Sequence, residues 1–185
     1  MELACDDEYE VAVVGEGSMA DLLVSKLLNA GVLVNIYRAK SEADASIPGL
    51  RCHASLISIC RTSTTVISVL PDGPMLEKIL FGNEGVTRFC STGTVIIDMS
   101  SVSPELIQEI SEQLVELEMF FLDSVVLNED NSDSDFIHMM LFGGDQYAYE
   151  KVHPIFQRIA RNIKHIGVNG ASQFYRQAFA VRAKT

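Results

Sequence analysis

The sequence predicts an α/β fold, a doubly wound and mostly parallel sheet covered by helices. Three observations carry that expectation. Short β-branched or apolar runs alternate with segments of helical periodicity along nearly the whole chain. A glycine turn, Gly15-Glu16-Gly17-Ser18-Met19-Ala20, joins the first run to the first periodic segment. Parallel strands need crossover connections, and the helical segments between successive strands supply them.

The elements follow in order. Residues 11–14 are a β-branched run closed by Gly15 and read as a buried parallel strand. Residues 19–30 place Leu22, Leu23, Leu27 and Leu28 at helical spacing and end before Gly31. Residues 32–37 form a second strand. Residues 38–49 are polar and irregular, punctuated by Pro48 and Gly49. A strand over 65–70 is stopped by Pro71-Asp72-Gly73, and 74–80 is a short helix. Residues 94–98 are a strand, and Pro104 suits the first turn of a helix running to about Leu117. Residues 119–122 are a strand. The polar stretch 128–135, with four acidic residues, is a loop. A strand over 137–142, a helix over 146–161 and a last strand over 163–166 follow. A final helix begins at Gly170 and runs to Lys184.

Composition bounds the function. The 185 residues are 48% apolar and 21% charged, enough to bury one core of ordinary size. A net charge of -11 argues against general affinity for nucleic acid or anionic membranes, while leaving room for one small basic pocket. Cys5, Cys52, Cys60 and Cys90 lack the spacing of a metal knuckle or redox motif and read as free thiols in a reducing compartment. His53, His138, His153 and His165 are scattered, so no metal site is expected. Residues 1–9 are an acidic tail without the pattern of a secretory leader, and no apolar run approaches the ~18 residues of a membrane span. The expected location is the cytoplasm, with the nucleus as the alternative.

The glycine turn is the first candidate site. Gly15-x-Gly17-x-x-Ala20, after a strand and opening a helix, has the context of the dinucleotide fingerprint of Rossmann-type domains. Gly15 permits the tight turn, Gly17 lets backbone approach a pyrophosphate, and Ala20 lets helix pack on strand. The amides around Ser18 and Met19 then face the anion. Glu16 is unfavourable there unless it points to solvent, and Asp21 suits the helix dipole but competes with a bound anion. The alternative is a purely structural turn. The second strand ends Ile36-Tyr37-Arg38-Ala39-Lys40-Ser41, with no acid to hold ribose hydroxyls. Arg38 can grip a 2′-phosphate and Lys40 can add charge, so NADP is preferred to NAD. The bland alternative is two ordinary surface cations.

Further motifs carry a resemblance. Val69-Leu70-Pro71-Asp72, the segment from Gly93 through Asp98-Met99-Ser100-Ser101 to Pro104, Gly143-Gly144-Asp145, and His165-Ile166-Gly167 leading to Gly170 follow the glycine turn in order. Together they resemble the 6-phosphogluconate and 3-hydroxyisobutyrate dehydrogenase family of β-hydroxyacid dehydrogenases, over about residues 10–180. The resemblance implies a nucleotide domain over 10–169 and the start of an interdomain helix over 170–185. It also implies cofactor contacts at Leu70 and Pro71 and, near the nicotinamide, at Ser101. Ser100 and Ser101 read equally as a capping pair ahead of Pro104.

The pattern breaks in three places. Where the family has Asp-Ala-Pro-Val-Ser-Gly-Gly, Asp123 is followed by Ser124-Val125-Val126-Leu127-Asn128-Glu129. A bulky Leu127 and an acidic Glu129 replace the turn that brings amides to a substrate carboxylate. The family's catalytic lysine and, four residues on, its asparagine fall at Arg176 and Ala180. Arginine keeps its proton and cannot serve as general acid or base. Arg176 either holds an anion or is a surface residue. Family members continue into an all-helical domain, whereas this sequence stops within the interdomain helix. The expectation is an NADP(H)-binding domain of a dehydrogenase-like oxidoreductase with impaired catalysis. The alternative is a non-catalytic interaction module or scaffold, a pseudoenzyme. The apolar face of Phe174, Ala178 and Val181 predicts a homo-oligomer or a protein partner.

Overall fold

A computed structural model describes residues 9–38, 46–127 and 136–182. Its strands are β1 (Glu10–Gly15), β2 (Leu33–Tyr37), β3 (Leu50–Cys52), β4 (Thr65–Val69), β5 (Val95–Asp98), β6 (Phe120–Leu127), β7 (Ile137–Gly144) and β8 (Ala160–Gly167). Its helices are α1 (Ser18–Asn29), α2 (Leu56–Cys60), α3 (Gly73–Phe81), α4 (Pro104–Glu116), α5 (Gln146–Phe156) and α6 (Ala171–Arg182). All the strands join one sheet in the order β3-β2-β1-β4-β5-β6-β7-β8. Pairing is parallel throughout except between β6 and β7. This is the doubly wound, Rossmann-type sheet that the sequence predicts.

Alternation along the strands explains why both faces are covered. In β1, Val11 and Val13 point into one apolar cluster with Leu23 and Leu27 of α1 and Val152 and Phe156 of α5. Ala12 and Val14 point the other way, to Leu76 and Leu80 of α3 and Ile107 and Leu114 of α4. A strand buried on both faces must be continuously apolar, and Val11 to Val14 are all buried to within 1% of their surface.

Several elements differ from the sequence reading. The helix expected over 146–161 stops at Phe156, and β8 begins at Ala160. Ile155, Phe156 and Ile159 mimic one helical stripe, but the chain turns at Gln157, whose N–H reaches the His153 carbonyl. The strand expected over 119–122 continues to Leu127, because its second half pairs with β7, from Leu122 opposite Gly144 to Leu127 opposite Met139. β3 and α2 went unassigned: at three and five residues they are too short to show a period. α6 begins at Ala171 and is described to Arg182, so Lys184 lies outside the described residues. So do Lys40, Asn128, Glu129 and the acidic tail up to Glu8. No helix among the described residues is long and apolar enough to cross a membrane.

Candidate functional site

The strand order reverses direction between β1 and β4. Helices there diverge to opposite faces and leave a crevice beyond the carboxyl ends of the strands. A cleft of about 490 Å³ opens at this edge. Its lining comes from residues 16–19 of the glycine turn, 69–71 after β4, 99–101 after β5, 125–127 of β6, and Arg176 of α6.

The two glycines do different jobs. A Cβ on Gly15 (φ 152°) would sit 2.1 Å from the Val69 carbonyl oxygen, so this glycine lets β1 and β4 meet. A Cβ on Gly17 (φ 96°) would meet nothing within 4 Å, so its bareness serves open space in front of α1. Gly17 is also the N-cap of α1 and supplies no side-chain acceptor to the first turn. Every other described α-helix has one. Ser55 accepts from Ser58 N–H, Asp72 from Met75, Ser103 from Leu106 and Asp145 from Ala148. At α6, Asp123 accepts from the N–H groups of Gly170 (2.7 Å) and Ser172 (3.0 Å) and from the Ser172 hydroxyl (2.5 Å). The open amides and positive dipole end of α1 therefore face the cleft without a side-chain cap, although Asp21 lies in the same first turn.

A polar network lies beneath the cleft. Asp98, wholly buried, accepts hydrogen bonds on one oxygen from Ser68 (2.8 Å) and Ser100 (2.6 Å). The Ser100 hydroxyl in turn accepts the Leu70 N–H at 2.9 Å, which fixes the turn before Pro71. The second Asp98 oxygen has no partner among the described residues. Burial pushes the Asp98 carboxyl up to about 6, against the two hydroxyl donors and the nearby Arg176 guanidinium. Arg176 donates to the Ser101 hydroxyl. Burial lowers its pKa, opposed by the charges of Asp98 and Asp123. Gln173, also buried, donates to the Ser100 carbonyl at 3.1 Å and ties α6 to the cleft floor.

The structure thus brings Gly17, Ser18, Met19, Leu70, Pro71, Ser101 and Arg176 to one cleft, with Gly15 packed behind it. Arg38 stands apart from that lining, at the end of β2 one strand over from β1. Its Nη2 lies 2.5 Å from the Asp21 carboxylate. Two sequence readings are corrected. Ser100 and Ser101 do not cap α4: Ser103 does, leaving the pair to serve Asp98 and the cleft. Arg176 is not a surface arginine but a half-buried one at the cleft wall. Asp98, Ser68, Gln173, Val125 and Val126 were not singled out as site residues. A carboxylate closing the apolar run Val95-Ile96-Ile97 was the available signal, since such a group needs buried donors.

Fold and cleft together define a dinucleotide-binding domain of the Rossmann type. Residues 10–167 match the model of the family described as the NAD binding domain of 6-phosphogluconate dehydrogenase, and the chain belongs to that family. It is 28% identical over 165 residues to 2-hydroxy-3-oxopropionate reductase of Escherichia coli K12, covering 89% of this chain and 56% of the relative. It is 26% identical over 166 residues to 3-hydroxyisobutyrate dehydrogenase of Pseudomonas aeruginosa, again covering 89% and 56%. The chain therefore spans a little over half the length of these curated relatives. Among solved structures, a variant imine reductase from Myxococcus stipitatus in complex with NAD+ superposes with a TM-score of 0.84 at 20% identity, covering 95% of this chain and 61% of that one. An imine reductase from the same organism in complex with NADP+ gives 0.81 at 18%, covering 94% and 61%. At such identity the likeness speaks to the fold.

Proposed function

We propose that residues 10–169 bind NADP(H) in preference to NAD(H), and that hydride transfer to a hydroxy-acid type of substrate is impaired. The observation that carries the reading is the uncapped N-terminus of α1 opening on the cleft at the sheet's reversal point. In the proposed pose the pyrophosphate takes the α1 amides, with Gly17 giving it room. Leu70 and Pro71 supply an apolar wall, Ser101 lies at the nicotinamide end, and Arg38 is the cation for a 2′-phosphate. The cofactor would bring the hydride chemistry, while the chain contributes binding and orientation.

Impairment rests on Arg176. A guanidinium hydrogen-bonded to Ser101 and facing Asp98 and Asp123 holds its proton and cannot cycle it as a lysine would. Leu127 stands on the cleft wall where the family has a glycine-bearing turn. Calorimetric titration of the full chain with NADPH tests binding. The expected result is saturable binding that Gly17→Ala abolishes, with no turnover of small 3-hydroxy acids. Absence of heat at millimolar NADPH would leave only a fold. Turnover that vanishes in Arg176→Ala would overturn the claim of impairment.

A second reading, an interaction module without catalysis, draws on α6. Phe174 and Phe179 are each about half exposed, and Tyr175 and Phe179 stack at 6.3 Å on the same helix. α6 would then serve as a docking helix. Light scattering that reports a monomer at all concentrations would count against self-association through it.

A further inference from the structure

Arg38 is the described cation best placed to choose between NADP and NAD, and it is already engaged. Asp21, in the first turn of α1, puts Oδ1 at 2.5 Å from Arg38 Nη2. The end of β2 carries no acid, but the fold brings one across from the neighbouring helix. Sequence spacing hides this, since the pair is separated by 17 residues.

We propose that Asp21 is a specificity-determining residue of the nucleotide site, competing with the 2′-phosphate of NADP for the Arg38 guanidinium. The proposal rests on the dinucleotide reading above. Three observations support it. First, the two partners are unequally held: the Arg38 side chain is 19% exposed and that of Asp21 57%, so arginine is the fixed member and aspartate the one that can swing away. Second, Arg38 has spare donors. Its pairing with Asp21 uses Nη2, and a guanidinium offers five N–H groups in a fork suited to an oxoanion. Third, the pair's charges cancel at the place where β2 and α1 converge. A phosphate arriving there meets a neutral pair and must displace or crowd a carboxylate. An uncharged ribose hydroxyl can instead donate to that carboxylate. Asp21 thereby withholds from NADP part of the advantage that Arg38 offers it.

The pair is exposed on its Asp21 side, so Asp21→Asn should cost folding little. The experiment measures NADPH and NADH affinities of the full chain by calorimetry at one salt concentration. It compares wild type, Asp21→Asn, Arg38→Ala and the double variant, with thermal melts to show that each is folded. Asp21→Asn should tighten NADPH about tenfold and change NADH by less than about twofold. The gain for NADPH should disappear when Arg38 is already alanine, because the two residues act on one group. Equal shifts for both cofactors would overturn the proposal, since they would mean only that a carboxylate near the pyrophosphate had been removed. A weakened NADPH affinity would overturn it too. Binding by none of the four proteins would bring down the dinucleotide reading and this proposal with it. Intact binding with an unchanged ratio would bring down Asp21 alone.

Discussion

At the scale of single residues, two glycines two positions apart should respond oppositely to the same methyl group. Gly15→Ala drives a Cβ into the Val69 carbonyl, 2.1 Å away, and the strands must part to admit it. We expect a loss on the order of 4 kcal/mol or more, seen in urea unfolding or as insoluble protein. Gly17→Ala meets no atom and pays only for its φ of 96°, about 1–2 kcal/mol. It should fold and lose the cofactor. Asp98 offers a pH test. Its carboxyl is raised from 3.8 to about 6 in the folded state, chiefly by burial. The native state therefore holds this proton more tightly than the unfolded chain does. The group's contribution favours folding below about pH 4, declines as pH rises through about 6, and then stays constant, a swing on the order of 3 kcal/mol. Asp98→Asn lacks that titration. Its stability relative to wild type should improve by a similar amount between about pH 4 and pH 7, measured by urea unfolding at each pH. A difference independent of pH would sink the idea that Asp98 is buried as a strained carboxylate.

At the scale of elements, the start of α6 is held by one residue of β6. Asp123 satisfies two backbone N–H groups and a hydroxyl at the start of α6, and is wholly buried. Asp123→Ala leaves those donors without an acceptor, at a cost of about 2–4 kcal/mol. Asp145→Ala, which removes a local cap from α5, should cost about 1 kcal/mol. The contrast, read by denaturant midpoints, separates a long-range anchor from a local one. The same contrast shows what could be read from the sequence. Asp72, Asp145 and Pro104 announce helix starts at short range, and α1, α3, α4 and α5 were placed within a residue or two of their starts. Asp123 acts across 47 positions, and no local pattern reports such a bond. The first half of β8 is hidden from the sequence for a related reason. Its residues alternate between part-buried and exposed rather than forming an apolar run, and its order comes from pairing with β7.

At the scale of the whole molecule, the fold was legible because strands buried on both faces must be continuously apolar, and the crossovers between them have helical period. The cleft was legible in part. Gly17 sits in a motif fixed by local geometry, Leu70, Pro71 and Ser101 in motifs that only the family resemblance marked, and the structure collects them at one sheet edge. The Arg38–Asp21 pair and the Asp98 network are products of strand order, which juxtaposes residues that the sequence separates. A ligand that bridges the turn of α1, the segment after β4 and the segment after β5 should stabilise the domain as one unit. With free NADPH at 100 times its dissociation constant, unfolding should become harder by about 2.7 kcal/mol, visible as a raised melting temperature. No shift at saturation would mean that the nucleotide also binds unfolded chain or does not bind at all.

The bare start of α1 has a practical consequence. Five helices complete their first turns with acceptors from within the chain, whereas α1 leaves that task to solution. We expect an oxoanion from solution to take that place. Inorganic phosphate or sulfate in the buffer should therefore act as a competitor, and nucleotide affinity should be weaker in phosphate than in an uncharged buffer of equal ionic strength. The molecule's resting state, in this sense, is partly a property of the liquid around it.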